Sequence, residues 1–228
     1  RARGEVAAGG GRSSYPIEDY FGPPIFLQQP SGRTNEFGTV ATFWTQLEGT
    51  EPLNCRWMKD GVPLASQTRV KGESSPLIVL SNVFGGDTGN YTVVVFSEFG
   101  ARTSSVARLV VHDPLITSHP AHQIIGLGGN VQIQVTAIGT PPLHYQWWHD
   151  EQLLSGANDS VLELTNVGSA QAGRYHVVVS NIYSQATSEA GLSVNLAQVI
   201  TNIDVSVGGG RASVYACVAQ SDGPMVVG

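Results

Sequence analysis

Gly139-Thr140-Pro141-Pro142-Leu143-His144-Tyr145-Gln146-Trp147 restates, position by position, Gly49-Thr50-Glu51-Pro52-Leu53-Asn54-Cys55-Arg56-Trp57. The offset is 147 − 57 = 90. A second block follows the same rule. Asn166-Val167, Gln171, Gly173, Tyr175 and Val177-Val178-Val179 match Asn82-Val83, Asp87, Gly89, Tyr91 and Val93-Val94-Val95, at an offset of 175 − 91 = 84. Self-similarity at a fixed period marks a structural unit present more than once. Because the offset falls by six, the first copy carries six extra residues between its Trp and its Tyr. They lie within residues 59–75, where Asp60-Gly61 and Lys71-Gly72-Glu73 are turn-like, and the expected form is a loop, which accepts insertions at little cost.

Outward from these blocks, short alternating runs stand between turn signals, the pattern of half-buried antiparallel strands. Charged residues make up only 13% of the 228, glycines number 27, and no long stretch keeps a helical apolar period. In the second copy, strands are expected at 123–127, 131–137, 144–148, 161–164, 175–180 and 186–194; in the first, at 40–47, 54–58, 77–80, 91–96 and 103–111. Side chains alternate between faces, so Tyr145 and Trp147 point inward with Tyr175, Val177 and Val179, to meet Leu162, Leu164 and Val167. Trp57, Tyr91 and Val93 do the same in the first copy. The expected division is a linker at 1–22, units at 23–112 and 113–195, and a partial unit at 196–228, where Val205-Ser206-Val207-Gly208 echoes Ile125-Gly126-Leu127-Gly128. His112-Asp113-Pro114 is the expected hinge, since proline stops a strand and stiffens a link.

A Trp on the third strand, a Leu-x-Leu or Ile-x-Leu strand, and an Asp-x-Gly-x-Tyr turn and strand together resemble immunoglobulin-like domains of the intermediate set. Trp57, Ile78, Leu80, Asp87, Gly89 and Tyr91 carry the likeness in the first unit, and Trp147, Leu162, Leu164, Gly173 and Tyr175 in the second. The wording of the second unit is also similar to tandem repeats of large secreted bacterial proteins. The resemblance spans residues 24–195 and implies an all-β chain of two tandem antiparallel β-sandwiches. It implies as well where an inter-sheet disulfide would stand: Thr45 and Val93, Val135 and Val177, so neither unit has one. Packing must then replace the roughly 2–4 kcal/mol such a bridge supplies. The cysteines, Cys55 and Cys217, fall in different units, and Cys55 faces inward as a small hydrophobe. Gln171 replaces the turn Asp, leaving that turn without its acid.

A net charge of −6 argues against nucleic acid as a partner, and no apolar run approaches the roughly 20 residues of a membrane span. His119-Pro120-Ala121-His122 looks like a ligand pair, yet no Cys or carboxylate pair completes a set. His144, His149 and His176 fall on neighbouring strands, where cross-strand pairing is ordinary. Acidic pairs such as Asp150-Glu151 lack the six or more oxygens calcium takes. Asn90-Tyr91-Thr92 and Asn158-Asp159-Ser160 fit the glycan acceptor pattern. No nucleophile elbow, phosphate loop or zinc-protease helix is present, so the expectation is a non-enzyme without a cofactor. Met58, Val94 and Phe96 in the first unit, and Trp148 and Val178 in the second, should stand on outward faces as partner contacts. The expected role is a spacer with adhesion or protein or carbohydrate binding, extracellular or at the cell surface, within a larger exported protein. The alternatives are accessory domains of an extracellular hydrolase, or an intracellular or eukaryotic adhesion-type array.

Overall fold

A computed structural model describes residues 22–195; the partial third unit expected at 196–228, Cys217 and nearly all of the expected linker lie outside the described residues. The first sandwich is built from β1 (Ile25–Gln28), β2 (Arg33–Glu36), β3 (Ala41–Trp44), β4 (Gln46–Glu48), β5 (Asn54–Lys59), β6 (Val62–Pro63), β7 (Val70–Lys71), β8 (Leu77–Leu80), β9 (Gly89–Ser97), β10 (Gly100–Thr103) and β11 (Ala107–His112). One layer runs β2-β11-β9-β5-β6, with β10 also on β9; the other holds β3-β8-β7 and the β1-β4 pair. The second sandwich has β12 (Leu115–Ser118), β13 (Gln123–Gly126), β14 (Val131–Gln134), β15 (Thr136–Ile138), β16 (His144–His149), β17 (Gln152–Leu153), β18 (Val161–Leu164), β19 (Gly173–Ser180) and β20 (Gln185–Asn195). Its layers are β13-β20-β19-β16-β17 against β14-β18 and β12-β15.

Each interior closes on an indole. Trp57 and Trp147 are fully buried, as are Tyr91, Val93 and Val177, with Tyr175 nearly so. Each indole N–H needs an acceptor once water is gone. Trp57 Nε1 donates to Ser75 O at 2.8 Å and Trp147 Nε1 to Asp159 O at 2.9 Å. The tyrosine hydroxyls close the corner before the penultimate strand, Tyr91 to Asp87 O and Tyr175 to Gln171 O, both at 2.8 Å. Thr45, Val93, Val135 and Val177 fill the disulfide positions as packed side chains, and Cys55 is a free, buried thiol. Phe43 stacks on Tyr91 at 4.9 Å, where the second unit has the smaller Ile133.

Two expectations need correction. The six-residue insertion is not a plain loop. Residues 65–72 stand where the second unit has only 155 and 156, because Leu64 and Leu154 bond back to the tryptophan carbonyls, and Glu73 and Ala157 accept the tryptophan N–H groups. The longer segment folds into β7, buries Val70 and brings in Arg69. The strand expected at 103–111 is interrupted: Ser104 is buried, its hydroxyl accepts from Val93 N and donates to Ser105 O, so β10 and β11 meet β9 separately. The expected hinge falls at the junction itself. Strand β11 ends at His112 and β12 begins at Leu115, leaving Asp113 and Pro114 as the whole connection, and Asp113 is fully buried.

The turn with Gln171 keeps its hydrogen bond. Gln171 Oε1 accepts Gly168 N at 2.9 Å, as Asp87 Oδ2 accepts Phe84 N at 3.0 Å. Only Asp87 also meets a cation, Arg69, at 3.0 and 3.2 Å. The insertion that supplies Arg69 is missing from the second unit, so a neutral amide satisfies the turn there without a buried charge.

Candidate functional site

The register of the second sandwich sets out its open sheet face. Trp148 on β16 is opposite Leu153 on β17 and His176 on β19, and His176 is opposite Glu189 on β20. One row along, Gln146, Val178 and Thr187 align. The Trp148 and His176 rings stack at 5.6 Å with their planes 8° apart. Trp148 is therefore half-buried against its neighbour rather than standing free, and Val178 is half-buried as well. Trp148 Nε1 and His176 Nδ1 are buried atoms without a hydrogen-bond partner among the described residues.

Beside the stack, Arg174 reaches Glu151 at 2.5 Å and Glu189 at 3.3 Å. With Thr187, Ser188 and His176 these side chains line an open groove of about 390 Å³. Glu151 sits at φ 68°, a left-handed backbone that suits glycine; the first unit has Gly61 there, at φ 80°. A glutamate held in this conformation costs energy in the turn, and its carboxylate is spent on the sheet face.

In the first sandwich, Met58 and Val94 are half-buried and Phe96 is 36% exposed. Arg56 pairs with Val94 between them, while Met58 meets Thr92 and Phe96 meets Asn54, so the three apolar chains are spread along the sheet. A stronger apolar pair went unread: Trp44 and Leu77, opposite each other on β3 and β8, are 53% and 47% exposed. Period two signals it, since Trp44 alternates with the buried Phe43 and Thr45. The matching positions in the second unit are Gln134 and Val161.

The histidines do not gather. His149 stacks on inward Tyr175 at 4.4 Å, and His176 is on the opposite face. His144 is opposite Ser180 at the far end of β16. His119 Nδ1 lies 2.7 Å from Ser188 Oγ and His122 Nε2 3.4 Å from Ser193 Oγ. These two contacts tie the crossover from β12 to β13 down onto β20, which is a structural task.

Between the sandwiches, Asp113 Oδ1 accepts Thr140 N at 2.8 Å and Asn181 Nδ2 at 2.7 Å. Its Oδ2 accepts Thr140 Oγ1 at 2.6 Å and, from the other sandwich, Gly85 N at 2.8 Å. Burial works to raise its pKa, but the hydrogen bonds from Thr140, Gly85 and Asn181 outweigh that and hold the carboxyl below its ordinary value.

Residues 24–111 match the model of the immunoglobulin I-set domain, and residues 113–181 that of an immunoglobulin domain. The chain carries two immunoglobulin domains in tandem. It is similar to the basement membrane-specific heparan sulfate proteoglycan core protein of Mus musculus, 31% identical over 87% of this chain and 5% of that protein. It is also similar to the peroxidasin homolog of Homo sapiens, 28% identical over 87% of this chain and 14% of that protein. Among solved structures, an I-band fragment of titin matches at 24% identity and a TM-score of 0.41, covering 77% of this chain and 66% of that one. The immunoglobulin pair thus spans a small fraction of the curated relatives' length. The expected likeness to bacterial repeats is not supported: the related proteins are those of mouse, human and fruit fly. The repeat blocks around Trp57 and Trp147 encode the sandwich core, which any tandem immunoglobulin array needs, and so carry no signature of a source. No helix among the described residues is long and apolar enough to cross a membrane.

Proposed function

We propose that this immunoglobulin pair is a non-catalytic spacer and adhesion segment of a larger extracellular protein, and that it meets a protein partner through the open sheet face of its second domain. The observation that carries the contact is the Trp148–His176 stack beside Arg174 and its two glutamates, with Glu151 kept in a backbone conformation that glycine would hold more cheaply. A half-buried aromatic flanked by an arginine suits a protein surface, where aromatic and arginine anchors dominate contact energy. Contact by one such face is weak, and repetition along an array strengthens it. The similarity to a basement-membrane proteoglycan core protein supports the extracellular setting.

The test is adhesion of cells to the immobilised chain. Trp148→Ala, which removes an outward-facing ring, should at least halve adhesion while lowering stability by under about 2 kcal/mol, below the cost of a core aromatic. Unchanged adhesion with Trp148→Ala and Arg174→Glu together would remove the second domain's sheet from the proposal. A second reading, accessory domains of an extracellular enzyme, is favoured by the similarity to the peroxidasin homolog. A catalytic domain in the full open reading frame selects it.

A further inference from the structure

The two-residue connection reads, in sequence, as a pivot; its side-chain contacts describe a lock. We infer that Asp113 fixes the two immunoglobulin domains in one relative orientation, so that the pair turns as a single rigid body. The inference stands on the junction alone and holds whether or not the adhesion reading does.

The Asp113 carboxylate takes four hydrogen bonds, three from the second domain and one from Gly85 N of the first. Its main-chain carbonyl accepts a fifth, from Ser184 Oγ at 2.7 Å. A carboxylate offers about four acceptor sites, so this one is saturated, and its charge rests on neutral donors rather than a salt bridge. Asn181 is held in turn: its Oδ1 accepts Tyr183 N and Ser184 N, and its Nδ2 also reaches Thr140 O. The hairpin between β19 and β20 is thereby set to present Tyr183 across the junction. Tyr183 meets Phe84 edge-on at 5.7 Å, and Arg69 covers Phe84 at 4.8 Å.

Two glycines make room for this. A Cβ on Gly85 would overlap the Tyr183 ring, and one on Gly139 would come within 2.7 Å of Asp113 Oδ1. The connection is also too short to swing freely, since both flanking residues are tied into strands. Rotation of one domain would strip Gly85 N from a fully buried carboxylate, leaving that donor without its acceptor and the charge one hydrogen bond short. Such a loss is what makes a buried polar group specify one arrangement.

Residual dipolar couplings on the intact chain test this. The wild type should give one alignment tensor for both domains. Asp113→Asn places donor hydrogens where only acceptors fit, and Asp113→Ala empties the socket. Each should give two distinct tensors while the buried Trp57 and Trp147 indole signals stay dispersed. Separate tensors in the wild type, or a shared tensor in folded Asp113→Ala, would overturn the proposal. Should either variant lose the Trp147 signal, Gly85→Asp decides. It wedges the junction from the first domain and leaves the Thr140–Asn181 socket untouched; two tensors uphold the lock and a shared one overturns it.

Discussion

Removing the Asp87 carboxylate should cost the first domain far more than the matching change costs the second, and the structure sets the size. Asp87 is 8% exposed and accepts three bonds, from Arg69 Nη1, Arg69 Nη2 and Phe84 N. A fully buried pair broken on one side loses about 3–5 kcal/mol, and an exposed pair loses about 1 or less. The Arg69 side chain is 31% exposed, so the pair lies between these limits. Asp87→Ala should therefore destabilise the first domain by about 3 kcal/mol, with about 2 kcal/mol of it as coupling to Arg69. Asp87→Gln copies the second domain: it should keep the Phe84 N bond and lose only the coupling. Gln171→Asp should gain nothing, because no arginine stands there. The assay is urea unfolding of the whole chain followed by NMR, with Val93 and Val177 signals reporting the two domains, in a double-mutant cycle with Arg69→Met. A coupling below about 0.5 kcal/mol would refute the claim that Arg69, carried in by the insertion, stabilises that turn.

Trp147→Ala should remove about 3–5 kcal/mol from the second domain, a large share of the roughly 5–15 kcal/mol a domain holds, and leave the Val93 signals unmoved. A loss under about 1 kcal/mol would mean that the core does not turn on its indole. In alkaline titration, Tyr91 and Tyr175 should ionise above the ordinary tyrosine value of 10.0, because burial, joined by nearby Asp87 for Tyr91 and Asp150 for Tyr175, raises both phenols. A raised folded-state value means stability is complete below the ordinary tyrosine value of 10.0 and is lost as pH climbs above it. Tyrosinate absorbance rising in one step at the ordinary value, with the chain still folded, would contradict the two closed corners.

The sandwich cores were legible because two signals coincide at the residues now buried: Trp57 and Trp147, Tyr91 and Tyr175, and valines two apart recur in both repeat blocks and keep period two. The edges were not. Strand β2, Arg33-Thr34-Asn35-Glu36, is polar throughout and exists because its backbone pairs in parallel with β11, which no side-chain pattern announces. Arg69 and Val70 were hidden by polar neighbours that suggested a loop. The contacts of Asp113 were not legible, because Asp-Pro marks only a break in local structure, whereas its partners, Gly85, Thr140 and Asn181, come from three distant turns. Alternation marks the outward residues Met58, Val94, Phe96, Trp148 and Val178, whereas the cross-strand partner each faces, as His176 faces Trp148, is set by register between distant strands.

The sulfur-free interiors bear on how the chain behaves when stretched. With Thr45 and Val93 where a covalent bridge would stand, nothing stops the first domain from paying out its whole contour once its strands part. The 88 residues from 24 to 111 amount to about 300 Å of extended chain. A bridge from 45 to 93 would have withheld roughly half of that, about 160 Å. Valines at 135 and 177 give the second domain the same freedom, so each module is a full-length extensible reserve, in reducing and oxidising surroundings alike.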